Sequence, residues 1–163
     1  AELLALVPNV EQRLRLLPAV PQPRRAVTRV ALALLAGEQF RVLYLNRRGA
    51  LLDDALIAEG VVDAVRPSLR AIIARALQAN ASALIAAHNH PSGAAEPSEA
   101  DRLLTQDLIA AARPVGLKVL DHVIVAEDAV FSFADSGLLG ELELTCLAPG
   151  DAPSAGKFAK RND

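Results

Sequence analysis

Apolar residues along this chain follow two alternating rhythms. Within residues 24–36 they fall at Val27, Val30, Ala31, Leu34 and Leu35, the spacing of a helix with one apolar face, and Gly37 suits its end. The rhythm then shortens to two. Phe40, Val42 and Tyr44 lie on one side and Leu43 and Leu45 on the other, which predicts a strand over 38–46, closed by a turn at Asn46-Arg47-Arg48-Gly49. Residues 50–62 are expected to supply two further short strands. Pro67 opens a second helix carrying Leu69, Ile72, Ile73, Ala76 and Leu77. The run from Ala83 to Ala87 is wholly apolar, as a strand buried on both faces would be, and it ends at His88. Pro91-Ser92-Gly93 breaks it. A helix is expected over 98–113, stopped by Pro114 and Gly116, then a β-branched strand over 117–125 and a hairpin partner over 129–133.

Helices interleaved with strands point to the α/β class, a sandwich built around one sheet. The ends differ in composition. Residues 1–25 combine Val10, Leu14 and Leu17 at helical spacing with Pro18, Pro21 and Pro23, and read as an arm or linker. Residues 26–146 form the domain. Residues 147–163, with Ala-Pro-Gly-Asp-Ala-Pro-Ser at 148–154, read as a disordered tail.

Composition narrows the chemistry. The single cysteine, Cys146, excludes an intrachain disulfide and a cysteine-based zinc site, and reads as incidental rather than nucleophilic. A formal net charge of -2 gives no bulk attraction to nucleic acid. The local cluster Arg24, Arg25 and Arg29 reads as a solvated helix start in preference to a phosphate-binding arm. No run is apolar for long enough to cross a membrane, and the first residues lack a signal-peptide layout, so a cytoplasmic location is expected.

Candidate chemistry gathers in one stretch. His88 and His90 are two apart, so an extended backbone directs both imidazoles to the same side at the end of a strand. Asp101 has two readings. With Ser98 it makes a capping-box pattern at a helix start. At about 100° per residue it also shares the stripe of Leu104, Leu108 and Ala112, which aims a carboxylate at the core, a costly placement unless it meets a cation. Glu99 and Asp107 fall off that stripe. Two imidazoles and one carboxylate make a three-ligand set for Zn²⁺ with a position left for water. A hydrolase would also need a general base. Spacing barely separates Glu38, Glu59, Glu96 and Glu127, and only its place at the head of an apolar strand favours Glu38.

The block His88-Asn89-His90-Pro91-Ser92-Gly93, then Pro97-Ser98 and Asp101, resembles the signature of the RadC-like proteins, the bacterial branch of the JAB/MPN domains with the JAMM metalloprotease motif. The similarity extends from about Glu38–Asn46, through Leu120-Asp121-His122, to Phe131-Ser132-Phe133-Ala134. The resemblance implies an α/β/α sandwich with a central mixed sheet, related to cytidine deaminases. It implies His88, His90 and Asp101 as zinc ligands, Glu38 as general base, and Ser98 as a group that helps stabilise an oxyanion. The expected activity is zinc-dependent hydrolysis of a peptide or isopeptide bond in a peptide or protein substrate. The Pro-Cys-x-x-Cys ligands of a deaminase are missing. His122 reads as a residue behind the ligands rather than a fourth ligand. Arg66-Pro67-Ser68-Leu69-Arg70 departs from the family's Pro-Arg-Glu-like run, and residues 1–25 leave no room for the helix-hairpin-helix module that accompanies the domain, which argues against inherited DNA binding. The rival readings are a catalytically silent metal-binding scaffold of the same fold and a DNA-repair-associated accessory protein. The Ala-rich helices are compatible with a homo-oligomer and equally with packing inside one domain.

Overall fold

The structure is a computed structural model, and it describes residues 39–60, 67–90, 94–126 and 129–146. In chain order these form β1 (Gln39–Leu45), β2 (Leu51–Glu59), α1 (Leu69–Gln78), β3 (Ala83–Asn89), α2 (Glu99–Ala112), a short 3-10 turn (Arg113–Val115), β4 (Lys118–Val125), β5 (Val130–Ser132) and α3 (Leu138–Thr145). The five strands make one sheet in the order β2-β1-β3-β4-β5. The β3–β4 pair is parallel, and the other three pairs are antiparallel. The chain is therefore of the α/β class with a mixed sheet. The parallel pair requires a crossover, which α2 supplies.

Strand alternation sorts the core into two faces. Phe40, Val42 and Tyr44 of β1, with Leu84 and Ala86 of β3, pack against Ile72 and Ala76 of α1, Leu108, Ile109 and Ala112 of α2, and Leu138 and Leu139 of α3. Leu43, Leu45, Ala83, Ile85, Ala87, Val123 and Val125 bury the opposite face. All three described helices lie on the first face. The helix expected over 24–36, the N-terminal arm and the C-terminal tail lie outside the described residues.

Local chemistry explains the element ends. Asn46 Oδ1 accepts from the amides of Arg48 and Ala50 at 2.9 and 3.0 Å, and Gly49 takes the positive φ that the turn needs. Ser68 caps α1 by accepting from the Ala71 amide. Two expectations need correcting, and one element is additional. Within the described part of the stretch expected to hold two strands, Leu51–Glu59 is one edge strand, paired along β1 through two register shifts. Asp53 and Asp54 interrupt its apolar pattern because its outer side is largely exposed, and backbone pairing holds it regardless. Leu77 leaves the α1 stripe and is 58% exposed. The helix α3 was not foreseen. Its capping residue Gly137 offers no side chain, Gly140 sits inside it, and Leu138 and Leu139 alone are buried. Among the described residues no helix is long and apolar enough to cross a membrane.

Candidate metal centre

The site forms where the parallel pair β3–β4 ends beneath the first turn of α2. His88 occupies the penultimate position of β3, on the helix-bearing face two residues beyond Ala86. His90 follows the strand, and its amide donates to the Val125 carbonyl at 2.9 Å, which extends the ladder one step. Asp101 sits in the first turn of α2 and is 4% exposed, while Glu99 and Asp107 face solvent, as the helical wheel indicates.

These side chains meet. His88 Nε2 lies 2.9 Å from His90 Nε2 and 3.1 Å from Asp101 Oδ1, and His90 Nε2 lies 3.4 Å from Asp101 Oδ2. Donors on a tetrahedral zinc at about 2.0–2.1 Å are roughly 3.3–3.4 Å apart, so a small inward or outward adjustment suits this triangle to such an ion. The three groups could bind a metal ion. Their chemistry agrees with their spacing. His90 Nδ1 lies 2.9 Å from the Ala94 carbonyl, which has no proton to give, so Nδ1 carries a hydrogen and Nε2 is the nitrogen left to face the cluster.

Asp101 satisfies both of its sequence readings. Its Oδ2 accepts from the Ser98 amide at 2.8 Å and from Ser98 Oγ at 2.6 Å, while Ser98 Oγ accepts from the Asp101 amide, completing a capping box. Its Oδ1 faces His88. Burial works to raise its pKa, but the hydrogen bond and charge of His88 and the two Ser98 donors outweigh burial and hold the carboxyl well below the usual range. It is an anion in the core. Ser98 thus serves as helix cap and gives its hydroxyl proton to Asp101 in this structure. Glu38 lies outside the described residues. Its neighbour Gln39 begins β1, and the Gln39 amide donates to Asn89 Oδ1 at 2.7 Å.

Behind the triangle are groups that motif reading reached only in part. His122 is fully buried on β4, and its Nε2 lies 2.8 Å from His88 Nδ1, the nitrogen pointing away from the cluster. Its own Nδ1 is 2.7 Å from Thr105 Oγ1. Burial first, then the neighbouring charge of His88, pushes the His122 pKa well below its ordinary value. Phe133 stacks on the His122 ring and Phe40 on the His88 ring, with centroids 4.9 and 6.0 Å apart. Phe40 is the register partner of His88 across β1 and β3, which explains that contact. Asp121 steadies the far side: it accepts from Ser132 Oγ at 2.7 Å and from the Ala134 amide at 2.9 Å. Thr105 escaped the sequence reading. The available signal was a polar residue four positions after Asp101 on the same buried stripe.

A mixed α/β sheet with a buried His-x-His and aspartate at the end of its parallel pair defines the class of protein. The family model described as the RadC-like JAB domain matches residues 21–138, and the chain belongs to that family. It is 47% identical over 105 residues to the UPF0758 protein YeeS of Escherichia coli K12, covering 64% of this chain and 71% of that protein. It is 42% identical over 111 residues to UPF0758 protein YkfG of the same organism, covering 68% and 70%. A UPF0758 protein of Vibrio atlanticus is 45% identical over 100 residues, 61% of this chain and 45% of that protein, so the match spans under half of that longer relative.

Proposed function

We propose that the chain is a zinc-dependent metallohydrolase that cleaves a peptide or isopeptide bond. The observation that carries this reading is the convergence of two imidazole nitrogens and an ionised carboxylate within 4.8 Å of one another, with His88 and Asp101 buried and His90 partly so. An anion and two imidazole nitrogens converging in such a place are stabilised by a cation. His88, His90 and Asp101 would hold the ion. Zinc, when bound, supplies a Lewis acid that polarises a carbonyl and acidifies water.

The remaining roles fall to this chain's own groups. Glu38 accepts the proton of the attacking water. Ser98 hydrogen-bonds the substrate oxygen as it gains charge, its hydroxyl turning away from Asp101 while the Ser98 amide keeps the carboxylate in place. A peptide or protein partner and a cytoplasmic setting belong to the same proposal.

Glu38→Gln tests it. The variant should retain metal and lose turnover of whichever peptide or isopeptide substrate the wild-type chain cleaves, by about 10²–10⁴-fold as expected for a lost general base. Unchanged turnover would remove Glu38 from the mechanism. A metal-loaded wild-type chain inert on linear and isopeptide-linked substrates alike would leave the silent scaffold as the better reading.

A further inference from the structure

We infer that Thr105 and His122 are positioning residues that hold a hydrogen on His88 Nδ1, so that Nε2 is the nitrogen His88 offers to the metal centre. This rests on the metal-centre reading above and extends it to two residues that no part of that reading uses.

Donor and acceptor counting along a buried chain of contacts leads to this assignment. Thr105 Oγ1 lies 2.6 Å from the Asp101 carbonyl oxygen, one helical turn back. A carbonyl has no proton, so the hydroxyl must donate, and a hydroxyl has only one to give. At 2.7 Å from the same oxygen, His122 Nδ1 must then be the donor. A neutral imidazole with its hydrogen on Nδ1 has a bare Nε2. That Nε2 is 2.8 Å from His88 Nδ1, which must therefore carry a hydrogen. Nε2, 3.1 Å from Asp101 Oδ1, is then the nitrogen that His88 turns to the cluster, where an ion takes the place of any hydrogen shared with the carboxylate.

Water offers these groups no alternative partner, because Thr105 is 0%, His122 1% and His88 2% exposed, and burial of this kind favours the neutral ring at His122. The rings cannot readily swing out of line either, because Phe133 stacks on His122 and Phe40 on His88. His90 reaches the same tautomer directly through the Ala94 carbonyl. His88 points its far nitrogen into the core, where an imidazole stands in place of a carbonyl. An imidazole can donate as readily as accept, so it needs Thr105 to set its direction. The relay begins at the main chain of one ligand, Asp101, and ends at the ring of another, His88.

Without the Thr105 hydroxyl, His122 is free to move its hydrogen to Nε2 and donate to His88. The His88 proton would then occupy Nε2 and compete with the metal. Groups behind a ligating histidine are commonly worth about 10–100-fold in metal affinity, and an effect of that size is expected here.

The experiment uses the full chain. Nitrogen-15 NMR of the metal-free protein reads the histidine tautomers, and zinc affinity is measured by chelator competition for wild type, Thr105→Val and Thr105→Ser. The expected results are His88 protonated on Nδ1 in wild type, a growing population lacking that Nδ1 hydrogen with about 10–100-fold weaker zinc binding in Thr105→Val, and near wild-type affinity in Thr105→Ser. Circular dichroism controls for folding, and the wild-type tautomer stands independently of any variant. A wild-type His88 with no hydrogen on Nδ1, or a folded Thr105→Val that binds zinc like wild type, overturns the inference. If wild type shows the expected tautomers and binds no metal, the metal-centre reading fails while the relay stands.

Discussion

Asp101→Ala separates the two duties of one carboxylate. In metal-free protein the substitution removes a capping box whose partners are the Ser98 amide and hydroxyl, at 2.8 and 2.6 Å. The Ser98 cap on the residue-101 amide survives, and loss of the two hydrogen bonds that Asp101 accepts from Ser98 costs about 1–2 kcal/mol. For a chain of this size each kcal/mol moves the melting temperature by about 2–4 °C, so the variant should melt roughly 2–8 °C below wild type in chelator. Zinc changes the comparison. An ion that binds only the folded chain stabilises it by about 4 kcal/mol when its free concentration is a thousand times Kd. Wild type should gain roughly 8–16 °C in zinc buffer from that term. The variant, missing one of three ligands, should gain little. The gap between the two proteins therefore widens from a few degrees in chelator to about 10 °C or more in zinc. Calorimetric melts of both proteins in both buffers, near neutral pH where the imidazoles can ligate, read this directly. A gap of the same size in both buffers would show that Asp101 is a helix cap and nothing more.

Two further predictions concern groups away from the metal cluster. The chain has one tyrosine, Tyr44, so its absorbance titration has a single source. Burial pushes the phenol up to about 12, with the Asp53 charge adding to burial and Arg75 opposing it. The unfolded chain ionises near 10, so this group's contribution to stability is intact below about 10 and is lost as pH rises toward 12. A midpoint near 10 in protein that circular dichroism shows to be folded would refute the placement of Tyr44 Oη against the Ile72 carbonyl. Asp121 is also raised, by burial, which outweighs the hydrogen bonds from Ser132 and Ala134. Its fold binds the proton more tightly than the unfolded chain does. Wild type should therefore lose stability relative to Asp121→Asn as pH climbs above the ordinary 3.8, measured by urea unfolding at a series of pH values. A stability difference that stays flat with pH would refute this.

Much of this protein is decided by local pattern. The alternation of Phe40, Val42 and Tyr44 against Leu43 and Leu45 follows from a backbone that turns its side chains up and down, and each set packs into its own face of the sheet. The wheel that places Asp101 with Leu108 and Ala112 is equally local, and those three residues are indeed buried together on α2. The same-side spacing of His88 and His90 is a property of extended chain, so the two histidines were readable as a pair before any fold was known. Elements with weak patterns were not readable. Residues 51–59 hold together as one strand because β1 pairs with them throughout, although Asp53 and Asp54 break their rhythm. The helix α3 offers only Leu138 and Leu139 to the core.

Tertiary structure alone decided what lies behind the cluster. His88 and His122 are 34 positions apart and meet because β3 and β4 run parallel, with Ala86 opposite His122 and His88 opposite Ile124. Thr105 and His122 meet because α2 crosses over that pair. Spacing along a single strand or helix determines which side chains share a face. Which face meets which, and so which nitrogen must carry a proton, depends on strand order and helix packing, and these are set by the whole core.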